Sequence, residues 1–268
     1  MQTQAASDLD YHAALAALEW QLEAGVDEPI TDAPLNRYEL PEAQARMRAP
    51  APEAAQTVPA PPEPVAEVDP VVIAQRAAGA ALDLPALAEA IAAFDLCELK
   101  KGARSTVFAD GNPAARVMII GEAPGRDEDI EGRPFVGRAG QLLDRMLAAI
   151  GLSRGAPDAA AAVYITNTLP WRPPGNRTPE AAEIAMMRPF LARHVELADP
   201  DLVVLMGNAA CQAALGRTGI LKLRGNWAEA FGRPALPMTH PAYLLRTPQA
   251  KREAWADLLA IRARLNGV

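Results

Sequence analysis

The sequence predicts an α/β protein with three layers, α/β/α, built around a central and mostly parallel sheet of four strands. One observation is that short apolar runs, typical of buried strands, alternate with segments of helical periodicity. This alternation occurs four times between residues 115 and 265. A second observation is the nearly continuous apolar character of the first run, which is typical of a parallel strand covered by helices on both faces.

The predicted elements follow one another in a regular order. The four strands are the runs at residues 115–120, 163–166, 202–206 and 236–239. The helices that follow them are predicted at residues 139–150, 179–197, 208–215 and 249–265. Thr178 is the expected N-cap of the second of these helices. An Ala- and Leu-rich stretch at 71–94 predicts one or two further helices that lead into the sheet.

The N-terminal quarter of the chain has a different character. Residues 8–25 carry apolar side chains at roughly helical spacing, with Asp8 as an N-cap, and this predicts a short amphipathic helix. Residues 41–70 contain eight prolines and eight alanines. Such a stretch buries too little apolar surface to fold, which indicates a semi-extended linker. We therefore divide the chain into an extension at 1–40, the linker, and a folded domain at 71–268.

Charge is distributed unevenly along the chain. The formal net charge is −7, from 33 acidic and 26 basic side chains. Residues 1–95 contain 16 of the acidic and 4 of the basic side chains, whereas residues 96–268 contain 17 and 22. The first region therefore carries a charge of −12 and the second a charge of +5. The acidic total thus leaves open a nucleic-acid partner for the folded domain.

Composition argues against several classes of protein. The sequence contains no run of about 18 apolar residues, the length that a membrane span requires, and its N-terminus lacks the pattern of a secretory signal. We therefore expect a cytoplasmic protein. Cys97 and Cys211 are far apart, and the three histidines are scattered. These spacings predict neither a disulfide scaffold nor a zinc site.

The loop after the first predicted strand is rich in glycine and carboxylates. It matches neither a Walker A loop nor the GxGxxG pattern. Five carboxylates between residues 122 and 131 would repel the phosphates of a nucleotide. Phe135 in this loop suits either the core or a platform on which a base stacks.

Polar side chains follow the second and the last predicted strands, where an open α/β sheet binds its ligands. Asn167 offers a donor and an acceptor together, which matches the edge of a pyrimidine, although a structural turn is the commoner role of an isolated asparagine. Arg172 and Arg177, in the next loop, suit phosphates. His240 is followed by apolar residues and Arg246, which we interpret as a site residue with an exposed wedge behind it.

Four segments of the folded domain carry a specific combination of motifs. They are GEAPGRDEDIEGRPFVGRAGQLL at 121–143, ITNTLPWRPPGNRTPE at 165–180, LRGNW at 223–227 and HPAYLLR at 240–246. In this order and spacing they resemble the uracil-DNA glycosylase superfamily, and most closely its family 4. The resemblance covers residues 94–265 and assigns nothing to residues 1–80. It implies the fold of that family and a DNA repair enzyme that hydrolyses the N-glycosidic bond of deoxyuridine, releasing uracil and leaving an abasic site.

The resemblance implies roles in base recognition for five residues. Phe135 would stack on uracil and Asn167 would hydrogen-bond its polar edge. His240 would donate to O2 of the leaving base. The pocket around the base would be completed by Gly121 and Ala123.

The resemblance also implies residues that contact DNA and residues that activate water. Leu244 would be the wedge that enters the base stack. Arg246, Arg172 and Arg177 would contact the DNA backbone. The best-known family of the superfamily has an aspartate where this chain has Ala123. The remaining candidates for water activation are Glu122, Glu128 and Asn176.

The chain departs from family 4 at the positions of a metal cluster. Members of that family hold a four-iron, four-sulfur cluster on four cysteines. Only Cys97 falls on such a position here, and the other three hold Phe94, Trp171 and Met187. We expect these three bulky apolar residues to fill the space as a small hydrophobic cluster, so that the protein has no cofactor and no metal.

The expected partner is uracil-containing DNA, single- or double-stranded, bound by a monomer. Two alternatives stay open, a catalytically silent nucleic-acid-binding protein of the same fold and a glycosylase acting on a broader range of deaminated bases. The joint presence of Phe135, Asn167 and His240 favours an active enzyme. The N-terminal helix could dock on the folded domain or on a protein partner, or the extension could serve only solubility.

Overall fold

The computed structural model describes residues 69–267, and the expectations for the extension and most of the linker lie outside these residues. Within the described region the chain forms one six-stranded sheet in the order β1-β3-β2-β4-β6-β5. The strands are β1 (Ala109–Gly111), β2 (Val117–Gly121), β3 (Val163–Asn167), β4 (Leu202–Met206), β5 (Ala228–Ala230) and β6 (Arg233–Met238). The four central strands are parallel, and the two short edge strands are antiparallel to their neighbours.

Helices precede the sheet and connect its strands. They are α1 (Pro70–Ala80), α2 (Leu84–Ala93), α3 (Leu99–Gly102), α4 (Arg126–Glu131), α5 (Arg138–Ala148), α6 (Ala181–Ala198), α7 (Asn208–Leu215), α8 (Ile220–Leu223), α9 (Pro241–Arg246) and α10 (Lys251–Leu265). None of the helices between residues 69 and 267 combines the length and the apolar character needed to cross a membrane.

The two faces of the sheet belong to separate hydrophobic clusters. In β2, Val117 and Ile119 pack in one cluster with the buried side chains of α5 and α10, whereas Met118 and Ile120 pack in the other with those of α6 and α7. Successive side chains of a strand point to opposite faces, so a central strand such as β2, covered on both faces, is apolar along nearly its whole length. This confirms the predicted three-layer α/β/α class with a mostly parallel central sheet.

The structure corrects several details of the predicted elements. The sheet has six strands and not the four predicted, because the two edge strands, with sequences ADG and AEA, lack the apolar run from which a strand is predicted. The N-cap of α6 is Glu180 and not Thr178. The backbone N–H of Glu180 donates to the carboxylate of Glu183 at 2.8 Å, which gives the first turn an alternative cap. The short helices α3, α4, α8 and α9 have no counterpart among the predicted elements.

A third hydrophobic cluster joins α1, α2 and α6 to the strand ends. It contains the four positions that the resemblance assigns to cluster cysteines, which are Phe94, Cys97, Trp171 and Met187 in this chain. The Phe94 ring meets Phe190 edge to face, with ring centroids 5.3 Å apart. The four side chains therefore share one buried apolar environment, as the sequence predicts.

Beneath the sheet lies a buried polar pair. The hydroxyl of Tyr164 and Nε2 of His194 are 2.9 Å apart, and Phe108 stacks on the imidazole with ring centroids 4.4 Å apart. Burial lowers the pKa of His194 to about 3, because the charged ring would lose its hydration. His194 is therefore neutral in the folded protein.

This burial predicts a loss of stability in acid. Because the pKa of His194 is about 3 when folded and near 6.5 when unfolded, unfolding takes up a proton below pH about 6.5. The free energy of unfolding should then fall with decreasing pH, by about 1.4 kcal/mol per pH unit for this group. Urea titrations at a series of pH values between 3 and 6.5 give the free energy of unfolding as a function of pH. This free energy should depend less steeply on pH in the double variant His194→Phe/Tyr164→Phe than in wild type. Tyr164→Phe alone keeps the histidine and serves as the control, and equal slopes in the two variants would contradict the assignment.

Candidate active site

A cavity of about 490 Å³ opens beyond the carboxyl ends of the parallel strands. Nine of the twelve predicted site residues line it, namely Glu122, Ala123, Glu128, Phe135, Asn167, Asn176, Arg177, His240 and Arg246. Gly121 lies directly behind two of them, whereas Arg172 and Leu244 are outside the lining. The strand ends thus bring together residues that are more than a hundred positions apart in the sequence.

Gly121 makes room for two side chains that line the cavity, those of Phe135 and Asn167. A Cβ atom at this position would lie 2.5 Å from Cε2 of Phe135 and 2.4 Å from Oδ1 of Asn167. Both distances are shorter than real Cβ contacts, so only glycine allows both groups to pack here. The ring of Phe135 is stacked on that of His240 with centroids 5.3 Å apart and an interplanar angle of 29°.

Asn167 is the last residue of β3 and pairs in register with Gly121 of β2. Thr168 fixes this junction, because its backbone N–H and its hydroxyl both donate to the carbonyl oxygen of Gly121, at 2.9 and 2.8 Å. Within residues 69–267, the side-chain amide of Asn167 has no hydrogen-bond partner, and it lines the cavity. Its donor and acceptor are therefore available to a ligand.

His240 follows β6 and caps α9. The backbone N–H of Ala242 donates to Nδ1 of His240 at 3.2 Å, so the proton of the neutral ring belongs on Nε2. Burial, and secondarily the charge of Arg246, lower the pKa of His240 to about 4. The ring is therefore a neutral Nε2–H donor near pH 7.

The two glutamates of the cavity have different surroundings. The carboxylate of Glu128 accepts hydrogen bonds from the backbone N–H groups of Gly125, Val136 and Gly137, at 3.1, 3.0 and 2.9 Å. It thereby ties the start of α4 to the loop that carries Phe135. Glu122 has no such partner within the described residues, and burial raises the pKa of its carboxyl.

The arginines of the second loop are held by neighbouring polar groups. Nε of Arg172 donates to Oδ1 of Asn176 at 2.7 Å. Arg177 forms two hydrogen bonds with the carboxylate of Glu183, at 2.6 and 3.0 Å, and this pairing lowers the pKa of Glu183. Arg246 is exposed at the rim of the cavity.

The expectation that Leu244 is an exposed wedge is wrong. Its side chain is completely buried and packs with the buried residues of α5 and α10. The segment after His240 is a helix with Pro241 at its first position, and residue 244 lies on its inner face. The neighbouring Tyr243 and Leu245 are partly exposed, and Tyr243 lines the cavity. Sequence reasoning missed Tyr243, although a proline directly after a capping residue is a helix signal.

Within residues 69–267 no group of three or more His, Cys, Asp or Glu side chains is arranged to hold a metal ion. The four positions at which the resemblance implies cluster ligands offer a single thiol, that of Cys97, amid apolar side chains. Burial raises the pKa of this thiol, which disfavours the thiolate that a metal requires. The residues present do not fit an iron–sulfur cluster.

Comparison with known proteins places these motifs in a family. A family model described as the uracil DNA glycosylase superfamily matches residues 108–259. A type-4 uracil-DNA glycosylase of Archaeoglobus fulgidus is 39% identical over 174 residues, which are 62% of this chain and 84% of that protein. The type-4 enzyme of Thermotoga maritima is 39% identical over 153 residues, 56% of this chain and 77% of that protein. That of Pyrobaculum aerophilum is 36% identical over 192 residues, 66% of this chain and 92% of that protein.

The family match covers more than half of the chain and includes every strand end that contributes to the cavity. The chain therefore belongs to the uracil-DNA glycosylase superfamily.

Proposed function

We propose that this protein is a DNA repair enzyme that hydrolyses the N-glycosidic bond of deoxyuridine in DNA. Free uracil and an abasic site would be the products. The observation that carries the proposal is the convergence of Phe135, Asn167 and the neutral His240 on one cavity at the strand ends. The relatives named type-4 uracil-DNA glycosylase support the same activity.

Base recognition would take place outside the DNA stack. An enzyme that acts on a base in duplex DNA extrudes it into a pocket, and the cavity of about 490 Å³ is large enough to admit a single pyrimidine base. Phe135 offers an aromatic face for stacking. The free amide of Asn167 offers a donor and an acceptor to the polar edge of uracil.

Bond cleavage leaves negative charge on the departing uracil. The Nε2–H of His240 would donate to O2 and stabilise this anion, which is an electrostatic contribution of the oxyanion-hole type. The neutral imidazole is the form available for this role, because a ring with a pKa of about 4 is not protonated to the cation near pH 7. Water supplies the hydroxyl group that bonds to C1′ of the sugar and the proton that neutralises the base.

Among the candidates for water activation, we propose Glu122 as the base. Its carboxylate is free of hydrogen-bond partners within the described residues and lines the cavity, and burial raises its pKa. The carboxylate of Glu128 is occupied by three backbone N–H groups, which supports a structural role. Asn176 is engaged with Arg172 and would help to place the loop.

The DNA backbone would run past the arginines at the rim, single- or double-stranded, on a monomeric enzyme. Arg172, Arg177 and Arg246 would contact phosphates, the part of binding that is independent of sequence. Tyr243 and Leu245, which are partly exposed beside the cavity, would fill the gap left by the extruded base. A cytoplasmic location is part of this proposal.

Two variants test the proposed site. His240→Ala removes the donor to the leaving base and Asn167→Ala removes the base-reading amide. Each should lower the single-turnover rate of uracil release from single- and double-stranded oligonucleotides by about a hundredfold or more. Asn266→Ala, an exposed residue after α10, should be unchanged. Wild-type DNA binding without uracil release would instead indicate a silent binding protein, and a panel of other deaminated bases would reveal a broader enzyme.

Glu122 should set the acid side of the pH profile. Because its pKa is raised above the ordinary 4.5, the rate should fall as the pH decreases through that raised value and the carboxylate is protonated. Glu122→Gln should be slower at neutral pH and should lack this acidic decline. The exposed Glu131 gives a control, since Glu131→Gln should keep the wild-type profile. Retention of the full decline in Glu122→Gln would assign the base elsewhere.

We propose that the enzyme works without an iron–sulfur cluster. Anaerobically purified protein should contain no stoichiometric iron and no visible cluster absorbance, and metal chelators should leave uracil release unchanged. A ferredoxin prepared in parallel serves as the positive control. Stoichiometric bound iron would refute this proposal and leave the glycosylase activity to be judged by the preceding variants.

A further inference from the structure

Phe135 has an unusual backbone conformation. Its φ angle is +55°, in the left-handed region that bulky residues rarely adopt. The aromatic ring reaches the cavity from this conformation and stacks on His240. Something in the surrounding structure must therefore hold the backbone in place.

Arg154 contacts this backbone directly. It lies between α5 and β3, outside the cavity, and its side chain is only 15% exposed. Its Nη1 donates to the carbonyl oxygen of Pro134 at 2.8 Å, and its Nη2 donates to that of Phe135 at 2.9 Å. A planar guanidinium can hold two successive carbonyl groups at once, which a lysine ammonium cannot match in geometry.

Two carboxylates fix the guanidinium itself. Asp110 on β1 accepts from Nη1 at 3.0 Å, and Asp144 on α5 accepts from Nε at 2.9 Å. Asp110 is itself largely buried, at 19% exposure. The position of Arg154 is thus set by two elements of the fold, so its hold on residues 134 and 135 is rigid.

Close packing against α5 also restricts the backbone at Phe135. A Cβ atom on Gly140 would lie 1.7 Å from the carbonyl oxygen of Phe135, so α5 touches the same carbonyl group that Arg154 binds. On the following residues, Glu128 accepts from Val136 and Gly137. The stretch is therefore held from both sides of Phe135.

We propose that Arg154 is a positioning residue that holds Phe135 in its left-handed conformation, so that the ring presents its face to the extruded base. This inference rests on the proposed function for its kinetic consequence, but its structural part does not. Arg154 acts through Phe135 and contacts neither the cavity nor the base. Its loss should slow base excision without weakening the grip on the DNA backbone.

The test compares Arg154→Ala with Arg133→Ala. Arg133 also approaches Asp110, at 3.7 Å, but is 55% exposed and donates to neither carbonyl group. Arg154→Ala should lower single-turnover uracil release by about tenfold and leave the affinity for an abasic-site duplex unchanged. Arg154→Lys should recover part of the rate, and Arg133→Ala should match wild type. Melting curves give the temperature at which all variants are folded.

A double-mutant cycle separates positioning from general damage. If Arg154 acts through Phe135, Arg154→Ala should add less than about twofold in a Phe135→Ala background. A full additional loss there, or wild-type activity of Arg154→Ala, would overturn the proposal. If wild-type protein releases no uracil, the proposed function fails. The positioning of Phe135 by Arg154 can then still be tested by a measurement that does not depend on activity.

This measurement uses ¹⁹F NMR of protein labelled with 4-fluorophenylalanine. The chain has five phenylalanines, and Phe135→Leu identifies the resonance of Phe135. Arg154→Ala should shift or broaden this resonance while Arg133→Ala leaves it unchanged. An unaltered Phe135 resonance in Arg154→Ala would overturn the positioning role.

Discussion

The candidate site depends on one close approach, that of Phe135 and Asn167 over the missing side chain of Gly121. A single Cβ atom there would come within 2.5 Å of both groups. The two side chains arrive from different directions, one on a loop with a left-handed residue and the other at the end of a neighbouring strand. Their meeting point is fixed by the parallel pairing of β2 and β3, so the sheet register sets the geometry of the pocket.

The burial of two titratable side chains gives the site its chemical character. Burial makes His240 a neutral donor and raises the pKa of Glu122. Burial disfavours the imidazolium form of His240 and the carboxylate form of Glu122, because both charged forms are poorly hydrated there. A donor without net charge and a carboxylate of raised pKa suit the proposed cleavage, in which the leaving base carries negative charge. The same enclosure therefore prepares both groups.

The sequence predicted the central strands and most of the cavity because both depend on local signals. Apolar runs mark β2 and β4, and polar residues at strand ends mark Asn167 and His240. Leu244 could not be placed in this way, since an apolar residue after a site histidine looks the same whether it faces DNA or the core. Arg154 gave no local signal at all. Its partners lie 10 to 44 positions away in the chain, and only the folded structure brings them together.

Apolar packing after β3 connects the third hydrophobic cluster to the loop that contributes Asn176 and Arg177 to the cavity. Trp171 is buried in the third cluster, and its indole N–H donates to Thr106 at 3.0 Å. The next residues form the loop that reaches the cavity with Asn176 and Arg177. The buried indole and its hydrogen bond to Thr106 fix the start of this loop. Neither contact involves a thiolate, so this anchor does not depend on the redox state of the surroundings, to which thiolates are sensitive.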